Sequence, residues 1–110
     1  MDSERTVATA LASYLRQAGV TRVFGYPGES VVGFMEAARD GGPAIIAAVR
    51  EASAAFMAEG AAMRTGGIGT CLSTLGPGST ALLNGVASAT LDRVPMLAIS
   101  GQVESSREQY

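Results

Sequence analysis

Alternation constrains this chain more than any other feature. Apolar runs at residues 20–25, 44–49, 68–74 and 96–100 have strand length and composition. A helical stretch precedes the first run, and one separates each run from the next. The first helix carries Val7, Ala8, Leu11, Leu15 and Ala18 on one face, runs to about Gln17 and stops at Gly19. Ser3 or Thr6 can cap it, although Ser3 with Thr6 lacks the Glu of a full capping box. Ser30 is placed to cap a second helix over 31–39. A third spans 52–63, with Phe56, Met57 and Met63 as its large core residues, and a fourth spans 79–91. Residues 101–110 are polar and read as loop.

The order α-β-α-β-α-β-α-β with short connections predicts a three-layer α/β fold, a parallel sheet with helices on both faces. Right-handed crossovers then bring three strand-to-helix turns to one rim. These are Tyr26-Pro27-Gly28-Glu29-Ser30, Arg50-Glu51, and Gly76-Pro77-Gly78-Ser79-Thr80. In the first, Pro27 fixes φ and Gly28 permits positive φ. Ligands of open α/β sheets bind outside the carboxyl ends of the strands.

Composition removes several function classes. The chain has 110 residues, enough for one small domain, and a net charge of −2 with no basic run, which argues against nucleic acid as partner. It has no His, so imidazole metal ligands and His-based triads are excluded, and no metal site is expected. The single Cys, Cys71, lies in an apolar run and reads as a small core residue. No apolar stretch has signal-peptide or membrane-spanning character, so the expected compartment is the cytoplasm and no membrane partner is expected.

Glu51 ends a strand and begins a helix with almost no polar face. A carboxylate there is either a first-turn residue favoured by the helix dipole or a working acid. Burial against apolar surface favours the protonated form of such a group, which can then donate a hydrogen bond to a heterocycle nitrogen. Glu59, two helical turns on, only weakly supports a paired-carboxylate hydrolase. The turn over 76–80 is a candidate anion site, because a helix amino terminus exposes free N–H groups. It lacks the Lys of a P-loop and the spacing of a dinucleotide fingerprint. Its glycines read equally as serving close turns.

Four stretches carry a family resemblance: Val23-Phe24-Gly25-Tyr26-Pro27-Gly28, Val49-Arg50-Glu51, Leu75-Gly76-Pro77-Gly78-Ser79-Thr80, and Val94-Pro95-Met96 with Ile99-Ser100-Gly101-Gln102. In this order they resemble the N-terminal pyrimidine-binding domain of thiamine-diphosphate-dependent enzymes, in particular the acetolactate synthase and pyruvate oxidase branch. The resemblance covers about residues 3–105 and implies that residues 1–110 form part of that domain. It implies that Glu51 hydrogen-bonds N1′ of the cofactor's aminopyrimidine. The imino tautomer so favoured takes the proton from C2 of the thiazolium, which then attacks a 2-keto acid. It further implies that Tyr26, Pro27, Gly28 and Pro77 lie against the pyrimidine, and that Asn84 is placed as in the decarboxylase branch.

The same resemblance carries other implications. Diphosphate and magnesium are held by a different domain through a Gly-Asp-Gly motif that this sequence lacks. Gly76 and Gly78 then serve close approach rather than phosphate binding. A flavin (FAD) is possible in a full-length enzyme, and branched-chain amino acid biosynthesis is a fitting role. The resemblance implies a homodimer or tetramer, or a partner subunit that carries the diphosphate half. The chain alone is expected to be inactive and, with an open sheet edge, poorly stable. The sequence departs from the acetolactate synthase pattern at Glu29, where a second glycine is usual, and at Ala81, where Asn is usual. Two other readings are a subunit of a split enzyme and a non-catalytic α/β module that binds a nucleotide or anion.

Overall fold

The structure, a computed structural model, describes residues 6–104 and 106. Helix α1 (Val7–Gln17) starts at a capping box that Thr6 makes with Thr9 in place of Glu. The Thr6 hydroxyl accepts from the Thr9 N–H at 3.1 Å, and the Thr6 N–H donates to the Thr9 hydroxyl at 2.9 Å. Ser3, the other cap candidate, lies outside the described residues. Ala12 and Leu15 are the buried residues of this helix; Val7 and Ala18, assigned to its core face from spacing, are exposed.

Strand β1 (Arg22–Gly25) leads through a 3-10 turn (Glu29–Val31) into α2 (Val32–Arg39). Strand β2 (Ala44–Ala47), helix α3 (Glu51–Thr65), strand β3 (Gly69–Ser73), helix α4 (Pro77–Leu91) and strand β4 (Met96–Ser100) follow. Helix α3 thus starts at Glu51 itself, and α4 starts at Pro77, a residue suited to the first helical position because it lacks an N–H. Among the described residues no helix is long and apolar enough to cross a membrane.

All four strands are parallel, in the order β2-β1-β3-β4. One face of the sheet packs Val23 and Leu72 against Ala12, Leu15, Phe34 and Ala38 of α1 and α2. The other packs Phe24 and Cys71 against Ala54, Ala55 and Ala58 of α3 and Leu82 of α4. These are the three layers expected from the alternation. Strand β2 is a half-exposed edge strand, and Val49 beyond it is 85% exposed. Its place at the end of the sheet order leaves one of its sides without a neighbour.

The core residues of α3 also differ from expectation. Phe56, Met57 and Met63 face outward, while Ala54, Ala55, Ala58, Glu59 and Ala62 face in. The reason is close approach on two sides. A β-carbon on Gly69 of β3 would overlap the Ala58 carbonyl, and one on Gly85 of α4 would overlap Ala55. With the backbones this near, only alanine-sized side chains fit between them.

Candidate functional site

The chain leaves β1 toward β2 on one side and reaches β3 on the other, so the order reverses between β1 and β3. The loops after these two strands diverge to opposite faces, and the crevice between them is the position where such sheets bind ligands. The expected turns meet there. Tyr26, Pro27 and Gly28 follow β1, Pro77 and Gly78 open α4, and Glu51 opens α3.

Thr74, the residue after β3, is the centre of that meeting. A β-carbon on Gly28 would overlap the Thr74 side chain, and one on Gly78 would lie 3.2 Å from Thr74 Cγ2. The same hypothetical carbon on Gly78 would lie 3.2 Å from Glu51 Oε2. Glu51 is therefore held closely against the first turn of α4, at a buried glycine where any side chain would crowd its carboxylate. It is half-buried rather than enclosed. Tyr26 is 40% exposed, and Pro27, Gly76 and Pro77 are exposed on the rim.

The glycines serve two different needs. Gly28 has φ −162°, an extended backbone open to any residue, so its requirement is close approach to Thr74 and not the positive φ read from the sequence. Gly76 has φ 71° and ψ −130°, a conformation that disfavours side chains, and nothing lies within 4 Å of its missing β-carbon. Asn84 lies two turns into α4, exposed, with its amide donating to the Ala81 carbonyl at 3.3 Å.

Ser30 does not cap α2. Its hydroxyl lies 2.7 Å from the Thr74 hydroxyl and accepts from the Leu75 N–H at 3.1 Å. The Thr74 carbonyl in turn accepts from Ser73 Oγ at 3.0 Å and Ser79 Oγ at 2.9 Å, and Ser79 also pairs with Ser100. No local sequence pattern signals this hydroxyl cluster, because its members come from the 3-10 turn, the end of β3, the start of α4 and the end of β4.

Two buried groups lie away from the rim. Glu59 accepts from Ser88 Oγ at 2.7 Å between α3 and α4. Cys71 is fully buried, and burial pushes its thiol up to about 11. A groove of about 710 Å³ runs between α2 and the edge strand β2; of the expected site residues only Pro27 lines it. Among the described residues no cluster of three or more His, Cys, Asp or Glu could hold a metal ion.

An all-parallel α/β layer with a half-buried carboxylate and two Pro-Gly turns at its switch point is a ligand-binding domain of the doubly wound class. The chain belongs to the family described as thiamine pyrophosphate enzyme, N-terminal TPP binding domain, which matches residues 5–109. It is 45% identical over 91 residues to the acetolactate synthase isozyme 2 large subunit of Escherichia coli, covering 83% of this chain and 17% of that protein. It is 47% identical over 105 residues to the acetolactate synthase of Arthrospira platensis, covering 92% of this chain and 18% of that protein. A putative thiamine pyrophosphate-containing protein of Bacillus subtilis is 42% identical over 105 residues, covering 94% and 18%. The chain thus spans less than a fifth of the length of these relatives.

The residues present fit the pyrimidine end of thiamine diphosphate. The missing side chain at Gly78 lets the Glu51 carboxylate lie against the start of α4, on the rim where Tyr26, Pro27 and Pro77 are exposed.

Proposed function

We propose that this chain is the N-terminal, pyrimidine-binding portion of an acetolactate synthase-like enzyme acting on 2-keto acids. The observation that carries the reading is the Glu51 carboxylate set beside Gly78 at the switch point. Bound there, thiamine diphosphate supplies a carbanion equivalent for decarboxylation and carboligation. Glu51 is the catalytic residue: it holds the hydrogen bond to the pyrimidine N1′ and so sets where the ring keeps its proton. Tyr26, Pro27 and Gly28 form one wall of the slot and Pro77 the other. Asn84, on the same helix as Pro77, belongs to the cofactor's surroundings once a neighbouring chain or domain closes the site.

The remaining parts are supplied from outside these residues. The diphosphate and magnesium belong to a domain with the Gly-Asp-Gly motif, in the same protein or in a partner subunit, and the full-length enzyme has room for a flavin outside these residues. Assembly as a homodimer or tetramer is supported by the outward-facing Phe56, Met63, Leu83 and Leu91, which are 48%, 64%, 58% and 84% exposed on α3 and α4. A cytoplasmic enzyme of branched-chain amino acid biosynthesis fits this reading.

The test is Glu51→Gln in the protein at its native length, with thiamine diphosphate, magnesium and pyruvate. The substitution keeps shape and removes the acid, and the expected loss of turnover is on the order of 10²–10⁴-fold with the fold retained. A rate near wild type would remove Glu51 from this role. Turnover of pyruvate by residues 1–110 alone would contradict the division of the site between domains.

A further inference from the structure

We infer that Ser30 and Thr74 are positioning residues, whose hydroxyl bridge fixes the width of the slot between the Tyr26–Gly28 turn and the Gly76–Gly78 turn. The inference rests on the reading of this rim as the pyrimidine site.

The need for such a bridge follows from the sheet. The β1–β3 ladder ends with the pair Gly25 and Leu72, and one further bond joins the Tyr26 N–H to the Leu72 carbonyl at 3.3 Å. Beyond that point the two chains part toward opposite faces, and main-chain pairing no longer sets their separation. Side chains take over where the ladder stops. Ser30 reaches across 44 residues of sequence to the Thr74 hydroxyl at 2.7 Å, and also accepts from the Leu75 N–H at 3.1 Å. A hydroxyl suits the place because it accepts one bond while sharing a proton in another.

The bridge is wedged as well as bonded. Gly28 packs against the Thr74 side chain, and a β-carbon on Gly101, beyond β4, would overlap Ser30. On its far side Thr74 is tied to the start of α4, since its carbonyl accepts from Ser79. Its Cγ2 also borders Gly78, which borders Glu51. A shift of the Ser30 loop therefore passes through Thr74 to both walls of the slot. Ser30 makes no helix-capping bond that would otherwise explain it.

The experiment uses the native-length protein and four variants: Ser30→Ala, Thr74→Val, the double variant, and Thr74→Ser, which keeps the hydroxyl. Thiamine diphosphate affinity is measured by calorimetry with magnesium, and exchange of the Leu75 amide by hydrogen–deuterium exchange. Each single loss of hydroxyl is expected to weaken cofactor binding roughly tenfold, the worth of one such bond. The double variant should be no weaker than Ser30→Ala, because that substitution already removes the bridge. Thr74→Ser should bind like wild type, and kcat at saturating cofactor should stay within about twofold, placing the effect in binding. Leu75 exchange should accelerate in Ser30→Ala. Thr74→Val keeps the packed volume and serves if Ser30→Ala does not fold. Wild-type affinity in the singles, with Leu75 exchange accelerated in Ser30→Ala, overturns the inference alone, since the bridge would then brace a loop without setting the slot. Failure of the wild-type protein to bind thiamine diphosphate overturns it together with the reading of the rim.

Discussion

A β-carbon on Gly78 would stand 3.2 Å from Glu51 Oε2, so the carboxylate packs against the first turn of α4 only because that position is glycine. Gly78→Ala crowds it. Alanine is the better helix former by about 0.5–1 kcal/mol, and the tight contacts with Glu51 and Thr74 Cγ2 offset that gain. The melting temperature should therefore change little while thiamine diphosphate binding weakens. Gly60→Ala is the matched control. Gly60 lies within α3 with nothing inside 4 Å of its missing β-carbon, and the same substitution there should stabilise the fold by about 0.5–1 kcal/mol. Unchanged cofactor affinity in Gly78→Ala would take Gly78 out of the slot.

Gly85 should behave differently, because its neighbours are backbone. A β-carbon there would overlap Ala55 Cβ and approach the Ala55 carbonyl carbon at 2.8 Å and the Phe56 nitrogen at 2.9 Å. Neither atom can swing aside, so α3 and α4 must separate. Gly85→Ala should cost about 1–3 kcal/mol in urea denaturation, in the range of overpacked cores. A variant as stable as wild type would show that the two helices are not held this close in solution.

The element order was legible because each transition carries its own signal: an apolar run, a Gly or Pro turn, then helical spacing. Strand β4 and the end of α1 fall where the pattern places them. The rim position of Glu51, Pro27 and Pro77 was legible for the same reason, since it follows from connectivity alone. Helix α3 was not. Ten of its fifteen residues are apolar or glycine and they lie on every side, so periodicity cannot choose a face, and the choice is made by Gly69 and Gly85 in other elements. A reading that asked which partner positions are glycine would have favoured an alanine face. Ser30 was read as a cap because caps are local, whereas its actual partners, Thr74 and Leu75, lie 44 and 45 residues away.

Glu59 and Ser88 offer a test of the α3–α4 seam. Glu59 is 5% exposed; Oε1 accepts from Ser88, and Oε2 has no partner among the described residues. Ser88→Ala removes the one hydrogen bond to this side chain and should destabilise the fold by about 1–3 kcal/mol. Adding Glu59→Met replaces the stranded polar group with an apolar one of similar length. The double variant should therefore recover stability relative to Ser88→Ala alone. Recovery measured by thermal melting would identify the stranded carboxylate as the source of the loss. Additive losses would instead point to packing at position 59.

Cys71 sets a limit at high pH. Its side chain is fully buried in β3, 4.0 Å from Met96 Sδ, and burial pushes the thiol from 9.0 up to about 11. The folded state then keeps a proton that the unfolded chain gives up, so stability must fall as pH rises through this interval. The contribution is complete below pH 9 and lost by about pH 11. Melting curves across this range should show a steeper decline for wild type than for Cys71→Ala, which has no proton to lose. The same burial should keep Cys71 unreactive toward iodoacetamide until denaturant is added. Parallel pH profiles for the two proteins, or rapid labelling of the folded chain, would show that the thiol is reached by solvent and that β3 is not sealed beneath α3 and α4.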